Sequence, residues 1–209
     1  MLEKYQLKLA KLTEEINFYF DEQKDFIKCS AGCGICCTKG YYPLFELEYK
    51  YLKKGLELHF SQEKIKKLQD KAHEIYKNRQ NFLKNDSNVH NFFYVCPFLE
   101  NDKCSIYSYR PIICRTYGLI SRDFENPKTK IHLPHCVSTG LNYADVWNSE
   151  AKSFSKAKIE ALGIKTEPKF YDISFGRILE SFQELPMGDS RMLYEWIFMD
   201  IPDYQKLFS

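Results

Sequence analysis

Eight cysteines in two groups constrain this chain more than any other feature of its sequence. They are Cys29, Cys33, Cys36 and Cys37 in the first group, and Cys96, Cys104, Cys114 and Cys136 in the second. The N-terminus is charged from Glu3 onward and has no apolar segment followed by a small-residue cleavage site, so we expect no secretory signal and a cytoplasmic protein. Thiols stay reduced in the cytoplasm, which favours thiolate-bound metal over the alternative, a disulfide framework.

Composition narrows the class of protein further. A chain of 209 residues with 44% apolar side chains can bury its own core and does not need disulfide staples. The mean hydropathy is −0.47, and no apolar run approaches the roughly 18–20 residues of a membrane span. Thirty basic residues stand against 28 acidic ones, so a dominant nucleic-acid surface is not indicated.

The hydrophobic periodicity predicts helices. Over residues 2–27, apolar side chains recur at steps of three and four, which is the spacing of one helix face: Leu2, Tyr5, Leu9, Leu12, Ile16 and Tyr19. Ser61 is a predicted N-cap of a second long helix. Further helices are predicted over Pro111–Tyr117 and over residues 144–162, 174–184 and 189–199.

We therefore expect a mainly α single domain with irregular cysteine-bearing loops and at most a small β element. Residues 1–28 would form an N-terminal amphipathic helix packed on the domain. Residues 29–136 would form the metal-binding cysteine region, and residues 137–209 the helical C-terminal part.

The cysteine spacing carries chemical information. The two-residue spacer between Cys33 and Cys36 lets a tight turn direct two sulfurs at one metal. The adjacent pair Cys36-Cys37 behaves differently, because neighbouring side chains diverge on a helix and alternate on a strand. One of the two thus serves a second site or a larger cluster. Two four-thiolate sites are possible, either one from each group or with the groups interleaved, and both partitions stay open at this point.

The residues around the cysteines resemble the CxxCxxCC cysteine-cluster family (YkgJ-like proteins). The resemblance lies in Cys33-x2-Cys36-Cys37, Cys96-Pro-Phe-Leu, Cys104-Ser-Ile-Tyr, Arg110-Pro and Cys114-Arg, and it covers roughly residues 29–136. It implies zinc or iron chelation. The three-residue spacer before Cys33 departs from the two residues usual in that family, which makes Cys29 a weaker candidate ligand. Flagellin lysine methylases carry a similar cluster, for which the resemblance suggests an iron–sulfur site.

The expected cofactor is an iron–sulfur cluster, with [4Fe–4S] as the expected type and Zn²⁺ as the alternative. The expected roles are redox chemistry, sensing or a modification reaction with a redox or substrate partner; a structural zinc protein and a lysine methylase-like enzyme are the alternatives. Arg110 and Arg115 are candidates to offset thiolate charge and donate hydrogen bonds to sulfur, or else to form ordinary ion pairs. His132 and His135 are weaker candidate ligands.

Overall fold

The computed structural model describes residues 1–30, 33–86, 88, 91–125, 128 and 130–202. The chain divides into two compact units, which are described separately. Unit 1 comprises Glu3–Cys36 and Arg115–Leu185, together with Met1. Unit 2 comprises Cys37–Cys114 and Pro186–Ser209, together with Leu2.

The described residues are mainly α-helical, which confirms the predicted fold class. The helices are α1 (Leu2–Glu22), α2 (Ile35–Thr38), α3 (Glu46–His59), α4 (Gln62–Leu83), α5 (Ile112–Thr116), α6 (His135–Ser138), α7 (Lys156–Ala161), α8 (Phe175–Glu180) and α9 (Leu193–Met199). A 3₁₀ turn spans Tyr107–Tyr109. Six short strands form three antiparallel pairs: β1 (Pro43–Phe45) with β6 (Ser190–Met192), β2 (Leu99–Glu100) with β3 (Lys103–Cys104), and β4 (Trp147–Asn148) with β5 (Ser153–Phe154). In the described part of the chain, no helix is both long and apolar enough to cross a membrane.

Unit 1 is built on the apolar face of α1 and on an aromatic core. Four of the six residues of the predicted stripe are buried, Tyr5, Leu9, Leu12 and Ile16, whereas Leu2 and Tyr19 are partly exposed. The core cluster contains Phe26, Ile120, Val137, Tyr143, Val146 and Trp147. It forms immediately beside the segments that carry the cysteines of this unit.

Unit 2 is organised by the pairing of β1 with β6. Each of these strands leads directly into a helix, α3 or α9. A glutamate in the first turn of each helix, Glu48 or Glu195, accepts the backbone N–H of the residue before the helix at 2.9 Å. Helix α4 begins at the predicted N-cap, because the Ser61 hydroxyl accepts the N–H of Lys64 at 3.2 Å. It packs on α9, with the Tyr76 and Phe198 rings stacked at 4.8 Å.

Three predicted helix boundaries were wrong. Helix α1 ends at Glu22 rather than near residue 27, because the buried Gln23 side chain bonds the backbone of Glu167 and Lys169 instead of continuing the helix. The helix predicted over 144–162 forms only at Lys156–Ala161, since β4 and β5 make a hairpin before it. The segment 189–199 begins as strand β6 and becomes helical only at Leu193.

Candidate metal centre

The adjacent cysteines lie on helix α2, where the chain passes from one unit to the other. Successive residues on an α-helix are turned by about 100°, so the Cys36 and Cys37 side chains diverge as the sequence predicted. Cys36 belongs to unit 1 and Cys37 to unit 2. The same division assigns Cys29, Cys33 and Cys136 to unit 1, and Cys96, Cys104 and Cys114 to unit 2. Each unit therefore contains four cysteines, and in each unit at least one of them is distant in sequence from the others.

The four thiols of unit 1 lie close enough to affect one another electrostatically. Burial and then the neighbouring Cys33 thiol, which is also its hydrogen-bond partner, raise the pKa of Cys29 to about 12. Smaller contributions come from Cys36 and Cys136. Burial, followed by the charges of Cys36 and Cys33, raises the pKa of Cys136 to about 11. Ionising Cys29 and Cys136 beside the other two thiols therefore costs free energy unless a cation compensates their charge.

A buried amide holds the two distant parts of this cluster together. Asn142 has no exposed surface, and its Oδ1 accepts the backbone N–H groups of Lys28 and Cys29, both at 2.9 Å. Its Nδ2 donates to the Gly118 carbonyl at 2.9 Å. The Leu141 N–H donates to the Cys136 carbonyl at 3.0 Å, which fixes Asn142 relative to that cysteine. Asn142 is thus a positioning residue for Cys29 and Cys136.

Backbone hydrogen bonds gather three of the unit 2 cysteines. The Cys96 N–H donates to the Cys37 carbonyl at 2.8 Å, although the two residues are far apart in sequence. The Leu99 N–H then closes a turn on the Cys96 carbonyl at 3.0 Å. Leu99 pairs with Cys104 across the β2–β3 hairpin, whose two turn residues, Asn101 and Asp102, have positive φ as a two-residue type I′ turn requires. This hairpin returns Cys104 to the neighbourhood of Cys96.

The fourth cysteine of unit 2 is positioned through a buried carboxylate. Glu48 is 1% exposed, and its Oε1 accepts the N–H of Ile112 at 2.9 Å while its Oε2 accepts that of Phe45. Ile112 begins the short helix α5, which the sequence predicted and which carries Cys114. A carboxylate that accepts two backbone N–H groups is an effective anchor in a buried position. Glu48 therefore fixes where α5 begins and, with it, where Cys114 lies.

A buried tyrosine accompanies each set of thiols. Along residues 92–96 buried and exposed side chains alternate, so that Tyr94 and Cys96 share the buried face while Val95 is exposed. The pKa of Tyr94 is raised by burial and then by the charges of Cys96 and, more weakly, Cys114. In unit 1, burial, Tyr171 and then Cys136 raise the pKa of Tyr143. Within the described part of the chain, neither the Tyr94 nor the Tyr143 hydroxyl has a hydrogen-bond partner.

The eight cysteines are all in described segments, and none of them forms a disulfide. Among the described residues, no three His, Cys, Asp or Glu side chains converge tightly enough to form a ready-made metal-ion site. The unit 1 thiols can nevertheless influence one another electrostatically, because charges interact over longer distances than those of metal coordination. The thiols fit a metal group in number and chemistry.

The other candidate residues have different surroundings. The Arg110 guanidinium lies 3.8 Å from the centre of the Tyr107 ring, a cation–π contact. Arg115 is buried, and it donates to the Thr13 hydroxyl at 2.9 Å. His132 pairs through its backbone with Ser121, and burial lowers its pKa. The hydroxyl of Ser138 lies 3.3 Å from Nδ1 of His135. Sulfur contacts of the arginines and metal ligation by the histidines stay predictions.

Sequence reasoning missed the residues that position the thiols. Asn142 and Glu48 carry no motif, because an asparagine in a turn and a glutamate in a first helical turn are common surface features. The signal for Tyr94 was present in the alternation of residues 92–96, which places it on the same face as Cys96.

The fold and the two sets of reduced thiols define a mainly α-helical, cysteine-rich, metal-binding protein. A family described as "CxxCxxCC: Putative zinc- or iron-chelating domain" matches residues 28–136, which is 109 of the 209 residues. The chain belongs to this family, as its motifs predicted. No significant match is found among curated proteins or among solved structures.

Proposed function

We propose that this is a cytoplasmic iron–sulfur protein whose cysteines ligate [4Fe–4S] clusters for electron transfer. The observation that carries the proposal is the arrangement of the thiols in unit 1. The charges of neighbouring thiols act on Cys29 and Cys136, but among the described residues no three such ligands converge on one point as a single ion demands. A single zinc ion needs four sulfurs each about 2.3 Å from it. A cluster of four irons offers ligation points that are farther apart, which suits thiols that are near one another but not tightly packed.

The surroundings of the thiols also favour redox chemistry. Six of the cysteines are partly exposed, which would bring a cluster close to the surface for electron exchange with a partner protein; they are Cys29, Cys33, Cys36, Cys37, Cys104 and Cys114. The two buried cysteines, Cys96 and Cys136, lie close enough to Tyr94 and Tyr143, respectively, for their charges to raise the pKa of these tyrosines, after the larger effect of burial. Donors directed at cluster sulfurs and the degree of solvent exposure are two of the means by which proteins set a cluster's reduction potential.

Structural zinc is the second candidate. It is favoured by the shortness of the elements that carry the cysteines, because α2, α5 and α6 have only four or five residues each. Helices this short are not stable by themselves. Four-thiolate zinc sites stabilise such segments and have no open coordination position for catalysis.

Anaerobic purification with quantification of iron, acid-labile sulfide and zinc on one sample distinguishes the two candidates. The proposal predicts a brown protein with a broad visible absorption, equal amounts of iron and sulfide, and about four of each per cluster. The absorption should bleach on reduction with dithionite. Two samples should be compared: protein from cells grown with excess iron, and protein after anaerobic reconstitution with iron and sulfide. If both are colourless and contain stoichiometric zinc, the iron–sulfur proposal is overturned in favour of zinc.

A further inference from the structure

We infer that the eight cysteines form two separate four-thiolate sites, divided at the peptide bond between Cys36 and Cys37. The first site takes Cys29, Cys33, Cys36 and Cys136, and the second takes Cys37, Cys96, Cys104 and Cys114. This inference rests on the proposed metal binding, but it holds for iron–sulfur clusters and for zinc alike. It rejects the simpler partition in which the first four cysteines of the sequence form one site and the last four form the other.

The first site is assembled around α6 and the segment after α1. The Cys29 N–H donates to Asn142 Oδ1 at 2.9 Å, and the N–H of the neighbouring Leu141 donates to the Cys136 carbonyl at 3.0 Å, so this segment is joined to the turn that follows Cys136. The Cys33 N–H donates to the Ser30 carbonyl at 2.9 Å, which keeps Cys33 close to the residue that follows Cys29. The late cysteine, Cys136, therefore joins the early group in space.

The second site is assembled around the β2–β3 hairpin. The 2.8 Å hydrogen bond from the Cys96 N–H to the Cys37 carbonyl places the last cysteine of the early group directly beside the first of the late group. The hairpin adds Cys104 through its pairing with Leu99. The buried face of Tyr94 and Cys96 lies near Cys114, whose helix begins at the residue held by Glu48. Four cysteines of unit 2 are thus joined by contacts made inside that unit.

The adjacent pair explains how two sites can share so short a segment. The helical turn of about 100° between Cys36 and Cys37 directs their sulfurs apart, so one metal group cannot readily take both. The two residues also belong to different compact units. An adjacent cysteine pair therefore supplies one ligand to each of two sites.

Double variants separate the two partitions, with metal content as the measurement. Cys36→Ser and Cys37→Ser should each remove about half of the metal bound by the wild-type protein. Combining Cys36→Ser with Cys136→Ser should remove no more than Cys36→Ser alone, whereas combining it with Cys37→Ser should remove nearly all of the metal. The partition by sequence order predicts the reverse, namely that the Cys36/Cys37 double variant keeps half and the Cys36/Cys136 double variant loses nearly all. That result would overturn the inference.

A second measurement uses the wild-type protein and therefore does not depend on whether the variants fold. Metal is removed in steps with a chelator, and the newly reactive cysteines are alkylated and located by tandem mass spectrometry. The inference predicts that Cys36 becomes reactive together with Cys136, and Cys37 together with Cys96. If Cys36 and Cys37 instead become reactive together, before Cys136 and Cys96 do, the inference is contradicted. Zinc in place of iron would refute the proposed function but leave these groupings unchanged.

Discussion

Replacement of Asn142 by alanine tests the positioning of the first site. The change removes three hydrogen bonds and leaves the N–H groups of Lys28 and Cys29 and the carbonyl of Gly118 without this partner. At about 1–1.5 kcal/mol for each of the three buried hydrogen bonds, the free energy of unfolding should fall by about 3–4.5 kcal/mol. Because Cys29 then loses its tie to the turn after Cys136, the variant should also lose about half of its metal.

Two further variants make this prediction specific. Asn142→Asp keeps an acceptor for both N–H groups but loses the donor to Gly118, so its stability should lie between those of wild type and Asn142→Ala. Asn148 is a matched control, since its Oδ1 also accepts two backbone N–H groups, in the β4–β5 hairpin of the same unit. Asn148→Ala should lower stability but leave the metal content unchanged.

The assay is anaerobic urea unfolding followed by circular dichroism, with metal quantified on the same samples. A stability loss below about 1 kcal/mol together with full metal content in Asn142→Ala would refute the role given to this amide. An equal loss of metal in Asn148→Ala would also refute it, because the effect would then follow from general destabilisation of unit 1.

Three other predictions concern unit 2 and the buried hydroxyls. Glu48→Gln leaves one backbone N–H facing an amide donor, so the free energy of unfolding in urea should fall by about 1–3 kcal/mol and the metal content should also fall. Full stability of this variant would contradict the anchoring role of Glu48. Gly55→Ala should destabilise the protein by about 1–3 kcal/mol in thermal unfolding, because a Cβ at this position would lie 2.4 Å from the Tyr109 ring. This loss should exceed the gain from the better helix propensity of alanine, and a net gain in stability would show that the ring moves freely. Neither the Tyr94 nor the Tyr143 hydroxyl has a hydrogen-bond partner in the described part of the chain, so each is available to donate to a sulfur of a bound cluster. If they do so, Tyr94→Phe and Tyr143→Phe should each lower the cluster's reduction potential by tens of millivolts in redox titrations, because a lost O–H···S donor destabilises the more negative reduced cluster; unchanged potentials with unchanged metal content would exclude such contacts.

Local sequence patterns predicted the parts of the fold that local physics determines. The stripe of α1, the Ser61 cap and the short helix after Pro111 follow from periodicity and from backbone capping, both of which lie within a few residues. The end of α1 does not, because Gln23 bonds a segment more than 140 residues away. The segment 144–162 has helix-compatible composition, but the Asn148 side chain stabilises the hairpin turn instead.

The candidate site shows the same limit. The motifs identified the cysteines and the family, and the adjacent pair indicated that more than one site was possible. The partition could not follow from spacing, because it depends on the Cys96–Cys37 hydrogen bond and on the buried side chain of Asn142. These contacts join segments that are distant in sequence. The first is made by backbone atoms, which every residue has, and asparagine is not a residue type that marks a metal site.

Native mass spectrometry of the anaerobically purified full chain tests the central claim most directly, since it reports the identity and number of bound groups on each intact molecule. The account predicts a main species whose added mass corresponds to two [4Fe–4S] clusters, with one-cluster species appearing as intermediates during metal removal. A main species that carries a single cluster, or zinc ions alone, after anaerobic reconstitution with iron and sulfide would contradict the account.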